Sequence, residues 1–383
     1  MNTRTAMAGL PALITGLLLV AGCSDATGPR NPGHADLMGP SFAVAAQQNG
    51  ITLDQNNGSL GYSGTLIRKG FNPTNPHRGD AIIATFYWLG STNIIDSVTD
   101  VLTDATFTPV GNKFTLVEYV TAGGVSMATY IATNVQNFPD PNLGDIVYAV
   151  QANLRQPITD GGVKISAWSG VDVVTTQPVG SHRSASGSGS TGTVAGPGSV
   201  AIGAGSLAYA VTMSNAVVTT EPPAGFASIG GAGSDQFIRE DGQYLVSAGL
   251  GTVDPRWTWN FTAPSTWLAS VITLNPAPHL NFTAQPSTTL PFTTIQPAVQ
   301  VTVLDALGNR ATTFNGPVTI SIGRNGGLLV PGTLSGTLTV NAVNGVATFS
   351  NLSIDQPGNG YTLVVNAANV SGGESAPFNV GAL

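Results

Sequence analysis

Along most of the chain, short apolar runs alternate with clusters of turn residues, and the period is that of strands, not helices. Asp80 to Trp88 reads Asp-Ala-Ile-Ile-Ala-Thr-Phe-Tyr-Trp, apolar on both faces, as a strand buried between two layers would be. Similar runs follow at Phe114–Val120, Met127–Val135, Asp145–Ala152, Val163–Trp168, Ser206–Met213, Gln243–Ala248, Arg256–Phe261 and Trp267–Leu274. Their spacing predicts a multi-stranded sandwich of about ten or more strands. After Asn275 to His279, where Pro276 and Pro278 read as a linker, the alternation becomes clean: Val299, Val301 and Val303, then Val318, Ile320 and Ile322, then Tyr361, Leu363 and Val365. About seven short strands over roughly a hundred residues fit an immunoglobulin-like sandwich. Asp305-Ala306-Leu307-Gly308-Asn309 supplies a tight turn in that region.

The N-terminal part has a different texture. Arg4 gives a short positive segment, an apolar run extends through Leu13 to Val20, and Val20-Ala21-Gly22-Cys23 ends it with small residues before the only cysteine. This resembles the lipobox of bacterial lipoproteins, which implies cleavage before Cys23 and lipidation of its thiol. The apolar run is too short to span a bilayer of roughly 30 Å, and one acyl chain alone binds only marginally, so the multiply acylated cysteine of such proteins is the expected anchor. Ser24 in place of an Asp points to the outer membrane. Residues 23–48, rich in Gly, Pro, Asn and Ala without a sustained period, read as a tether. The expected order is a signal peptide over 1–22, the tether over 23–48, a sandwich over 49–276 and an Ig-like domain over 277–383.

Two further resemblances refine the all-β expectation. Asp96-Ser97-Val98-Thr99-Asp100, Ala128 to Val135 and Ala167-Trp168-Ser169-Gly170-Val171 occur in the order seen in a jelly-roll-like sandwich of secreted bacterial proteins. Val101-Leu102-Thr103-Asp104 departs from the Gly-Asn turn usual in that family, and the resemblance brings no catalytic residues. Asn344 to Asp355, followed by Gly360-Tyr361-Thr362-Leu363, resembles the bacterial Ig-like repeats of surface proteins and adhesins across Leu280 to Val380. Such modules act as spacers or adhesive units. With no lysine after Asn275, a Lys-to-Asn isopeptide staple is ruled out there.

Composition supports an exterior setting and excludes some chemistry. Only 9% of residues are charged, while Gly numbers 48 and Pro 25, a balance that favours strands and turns. Thirteen basic residues against twenty acidic ones, without a basic stripe, argue against nucleic acid as a partner. A lipidated Cys23 leaves no thiol for a disulfide, so packed cores and ladders must supply stability.

Several clusters invite a chemical reading. Asp96, Asp100 and Asp104 recur every four residues and suggest calcium, although a strand spreads such a spacing over about 13 Å, so that only a turn could bring them to one ion. Trp257 and Trp259 share a strand face and Trp267 follows on the next strand. Flat aromatic faces can stack on sugars, which makes these three the best ligand platform, while the same alternation also fits the core between two sheets. Arg78-Gly79-Asp80 spells a tripeptide read by adhesion receptors, provided it lies on an exposed loop tip. Otherwise it is a Gly turn entering a strand. Gly187-Ser188-Gly189-Ser190-Thr191-Gly192 has the spelling of a dinucleotide fingerprint but no helix pattern after it, so Gly180 to Gly198 reads as a flexible loop.

Catalytic signatures are weak. His34, His77, His182 and His279 are isolated, and no His-Glu-x-x-His helix or Gly-x-Ser-x-Gly elbow occurs. Glu118, Glu221, Glu240 and Asp241 are the acids that folding could pair for glycoside hydrolysis, and otherwise they belong to solvated edges or turns. The reading that results is a non-enzymatic, lipid-anchored surface protein engaged in adhesion or ligand binding, its partners the membrane and a polysaccharide or matrix protein, with no cofactor required. A carbohydrate-binding or carbohydrate-active protein is the alternative, and a structural envelope protein a third.

Overall fold

The computed structural model describes residues 51–381 apart from 73, 140–145, 176, 217–218, 231–232, 261–263 and 306–307. Cys23, the leader and the tether lie outside the described residues. Among those described there is no helix, and the protein is all-β as its patterning predicts.

Residues 51–169 form eight strands: β1 (Thr52–Leu60), β2 (Gly64–Gly70), β3 (Ala81–Leu89), β4 (Ile95–Leu102), β5 (Thr115–Ala122), β6 (Val125–Ala132), β7 (Tyr148–Ile158) and β8 (Gly161–Ser169). They make a five-stranded sheet of order β1-β8-β3-β6-β5 and a three-stranded sheet of order β2-β7-β4. Residues 179–274 form eleven more: β9 (Val179–Gly189), β10 (Thr193–Ala195), β11 (Val200–Ile202), β12 (Leu207–Ser214), β13 (Thr219–Glu221), β14 (Ala227–Ser228), β15 (Gly233–Ser234), β16 (Arg239–Val246), β17 (Gly251–Val253), β18 (Trp257–Asn260) and β19 (Ser265–Leu274). Their main sheet runs β9-β19-β12-β16-β14 and a smaller one runs β10-β18-β13. Position for position, these are the orders of the first set. The region expected to be a single sandwich is thus two copies of one strand order, with β11 and β17 forming an additional pair. Even the turn into the second strand repeats, since Gly64-Thr65 and Gly192-Thr193 each place the glycine at positive φ.

The two main sheets, the second with β15 as a further strand beside β16, pack on each other, and each carries its small sheet outside. β3 shows why its residues alternate without a polar face: Ile82, Ala84, Phe86 and Trp88 join the core under β2 and β7, while Ala81, Ile83 and Tyr87 join the core shared with β12 and β19. β12 divides in the same way, Leu207, Tyr209, Val211 and Met213 to the shared core and Ala208 and Ala210 to the outer one. Fully burying each large side chain stabilises by about 1.5–3 kcal/mol, which is what a chain without disulfides depends on. Thr85 crosses the shared core with a buried hydrogen bond to Tyr209 Oη at 2.8 Å.

Gly180 to Gly198 is not a loop. Its first part is β9, paired along β19, and Gly187 leaves room for the Trp267 ring, from which a Cβ there would lie only 2.6 Å. Ser and Gly carry no apolar period, so this edge strand has no signal of its own and takes its form from its neighbour.

Sheet membership changes between Leu274 and His279, where Asn275 and Ala277 are held by Pro178 O and Gly170 O. The remaining strands are β20 (His279–Ala284), β21 (Val299–Leu304), β22 (Pro317–Ile322), β23 (Leu334–Ser335), β24 (Thr339–Asn341), β25 (Val346–Phe349), β26 (Ser353–Ile354), β27 (Gly358–Tyr361), β28 (Leu363–Ala367), β29 (Val370–Glu374) and β30 (Phe378–Val380). Seven of them follow the order β24-β22-β28-β29-β20-β21-β25 around a separate core. Val299, Val301, Val303, Val318, Ile320, Tyr361, Leu363 and Val365 are buried in it, and Ile322 packs at its margin. Asp305 closes its turn through hydrogen bonds from Gly308 and Asn309.

Candidate functional site

Strand alternation decides where the acids go. On β16, Glu240 and Asp241 are neighbours, so they point to opposite faces of the sheet. Glu240 enters the core shared by the two halves and meets Lys164 of β8, with Nζ 3.3 Å from Oε1. The ammonium also donates to Ile229 O at 2.8 Å, and Tyr87 Oη lies 3.5 Å from Glu240 Oε2. Both charged residues are buried, so neither belongs to a solvated edge. Asp241 enters the outer core, where it accepts hydrogen bonds from Trp257 Nε1 (2.9 Å) and Gln243 Nε2. The two acids cannot act as a facing catalytic pair.

Lys164 and Glu240 open onto a polar cleft of about 230 Å³, lined also by Asn56 to Leu60 of β1 and by Gly230, Gly233 and Ser234. Gly230 has φ +72° and approaches the Asn56 side chain so closely that a Cβ would come within 2.4 Å of its amide oxygen. Gly230 thereby lies against β1. Burial pushes the Glu240 carboxyl up to about 7, against the lowering effect of the adjacent Lys164. An ion pair built for stability alone would hold the carboxyl below its ordinary value. Here desolvation wins, which leaves a carboxyl that titrates near neutrality beside a fixed ammonium. The same burial, with Glu240 as neighbour, drives the Tyr87 hydroxyl well above its usual range.

The other residues singled out from the sequence scatter. Trp257 and Trp259 are fully buried over Ala208, Ala210 and Ala269, so neither offers a ring face to a sugar. Trp267 is partly buried and packs over Gly187 at the margin of the same core. Asp96, Asp100 and Asp104 have three separate fates and form no shared cation site. Asp96 is exposed, 3.8 Å from Arg155 Nε. Asp100 is buried and accepts from the Gly111 and Asn112 amides, the Asn112 side chain and Tyr148 Oη. Asp104 closes its own exposed turn through Thr106 and Thr108, whose hydrogen bonds lower its pKa to about 2.

Arg78-Gly79-Asp80 is a strand entry. Asp80 is 2% exposed, so the tripeptide is not displayed as a whole, although Arg78 is exposed and donates to Phe138 O. Glu118 of β5 accepts from His182 Nδ1 (2.6 Å) and Ser184 Oγ (2.7 Å) of β9, tying together the edges of the two inner sheets. Glu221 is exposed at the end of β13. Gly187 to Gly192 forms the end of β9 and the tight turn into β10, with no helix to receive a pyrophosphate.

The Lys164–Glu240 pairing was not legible in the sequence. Its signal was a lysine inside the mostly apolar run Val163–Trp168, a position that folding makes costly unless the charge is met. No protein-family model matches the chain, and a search of curated proteins finds no similar sequence.

Proposed function

We propose that this protein is a non-enzymatic, extracytoplasmic lipoprotein that binds a small polar ligand, of the class of a sugar residue, in the cleft above Lys164 and Glu240. The observation that carries this reading is a buried ion pair, Lys164 with Glu240, that opens onto a polar cleft. Asn56, Ser234, the ammonium and the carboxyl provide donors and acceptors around it. At about 230 Å³ the cleft is smaller than drug-sized pockets and suits a single ring more than an extended chain.

The strand orders support a finer assignment. Strands 1-8-3-6 in one layer and 2-7-4 in the other are the neighbours of a jelly roll, so residues 51–274 read as two jelly-roll-like sandwiches in tandem. The Ig-like reading of 277–383 rests on its alternation and its own core. Lipidation at Cys23 would place all three at the outer membrane, where ligand binding serves adhesion.

A glycan array with the full chain tests the ligand class. Ser234 is exposed at the cleft rim, so Ser234→Trp fills the cleft without disturbing the core. Binding to one or a few glycans that disappears in Ser234→Trp is the expected result. Glycan binding that survives the substitution unchanged moves the site elsewhere, and an array without signal leaves the protein a structural envelope component.

A further inference from the structure

The ladder between β1 and β8 breaks at one residue. Leu53 pairs with Trp168 and Gln55 with Ala167, so Asp54 is the extra residue of a β-bulge. A bulge re-aims the side chain it inserts. The Asp54 carboxylate meets the turn that leads into β3, two strands away across the sheet. There His77 Nδ1 lies 3.0 Å from Asp54 Oδ2, and the His77 main-chain N–H donates to both Asp54 Oδ2 (3.0 Å) and Asp80 Oδ2 (3.2 Å). One N–H shared by two carboxylates holds them together. A ligand atom from each of the three side chains lies within 4.8 Å of the others.

Asp80 separates this place from an ordinary group of surface acids. Although it is 2% exposed, its carboxyl meets only the His77 main-chain N–H and the Asp54 carboxyl and lies in no ion pair with lysine or arginine among the described residues. Arg78, two residues earlier, directs its Nε to Phe138 O. Asp100 is the contrast. Equally buried, it accepts four hydrogen bonds from two amides, an asparagine side chain and a tyrosine hydroxyl. Asp80 instead faces a second carboxyl, that of Asp54, and the two meet at the one His77 N–H. A divalent cation would satisfy both carboxylates at once.

We infer that Asp54, His77 and Asp80 bind one divalent transition-metal ion of the zinc type. One imidazole nitrogen with two carboxylate oxygens suits zinc and its neighbours, whereas calcium takes six to eight oxygen ligands. Three protein ligands leave a position for water, and the 68% exposure of the His77 side chain puts that position toward solvent. The ion would pin the bulged edge strand β1 to the entry of β3 across β8. This site shares no residue with the Lys164–Glu240 cleft, so the two readings stand or fall separately.

Titration calorimetry with zinc chloride tests it, using the full chain with Cys23→Ser to remove the single thiol and a chelator step beforehand. One ion per chain is expected, bound in preference to calcium. His77→Ala and Asp54→Asn should each weaken zinc by about tenfold or more while the circular dichroism spectrum stays unchanged, because neither side chain is part of a core. His182→Ala, which removes another exposed imidazole, should leave the affinity as it was. Cobalt in place of zinc should give a visible absorption band that His77→Ala abolishes. Absence of saturable binding in the parent, or equal affinity in His77→Ala and Asp54→Asn, meaning an adventitious ion only, would overturn the site.

Discussion

The two halves of residues 51–274 share one strand order and stabilise it by different means. In the first, the outer layer consists of strands of seven, eight and eleven residues. In the second, the longest strand of the equivalent sheet has four. Ladders so short contribute few hydrogen bonds, and side-chain bulk replaces them: Trp257 and Trp259 fill the space above Ala208, Ala210 and Ala269. A topology can therefore survive the loss of most of a layer's ladder if large apolar rings meet small residues on the facing strands.

That contrast predicts unequal sensitivity. Trp257→Ala removes a fully buried indole, at about 3–5 kcal/mol for transfer and cavity. It also takes one donor from the buried Asp241, adding about 1–3 kcal/mol. Ile67→Ala, in the outer strand β2 of the first half, is an equally buried truncation but leaves a long ladder intact and orphans no polar group. Denaturant unfolding followed by circular dichroism should rank Trp257→Ala as clearly the more damaging. Equal losses would mean that the second half does not depend on its tryptophans.

The interface between the halves provides the next test. Lys164→Met leaves Glu240 buried without its cation, and breaking such a pair costs about 3–5 kcal/mol. The loss should be larger at pH 8, where the carboxyl must either stay charged or take up a proton, than at pH 5, where it is already neutral. Adding Glu240→Gln to Lys164→Met should recover most of the stability. If Lys164→Met alone is neutral at pH 8, the pair is screened by water from the cleft and contributes nothing to holding the halves together.

How much of this was readable beforehand follows from what each feature depends on. β3 and the valines of β21 announce themselves because burial on both faces or on alternate residues is written in their own side chains. β9 does not, since Ser and Gly acquire a strand conformation only by pairing with β19. The duplication was hidden for a related reason. The outer strands of the second half are so short that the turn residues between them mask the eight-strand rhythm of the first. The candidate site needed contacts between strands far apart in sequence: Lys164 with Glu240, and Asp54 with His77 and Asp80. The regular spacing of Asp96, Asp100 and Asp104 was visible and misleading, because a strand and a turn send the three carboxylates to different partners.

The smallest expected effect concerns pH. Glu240 titrates at about 7 in the folded protein against an ordinary value of 4.5, so its folded pKa is raised. Between those values the folded state holds a proton that the unfolded state has released, and stability falls as pH rises through the window from about 4.5 to 7. The whole contribution is about 3 kcal/mol. Glu240→Gln keeps the shape, cannot ionise, and should flatten this part of the profile when thermal unfolding is followed from pH 5 to pH 8. The variant should lie close to the parent at pH 5, where the parent's carboxyl is already neutral, and gain on it toward pH 8. A profile for Glu240→Gln as steep as the parent's would assign the pH response to other carboxyls. In that case the Lys164–Glu240 pair would be electrostatically silent over this range, and the contrast between the two copies of the strand order would rest on how their outer layers are filled.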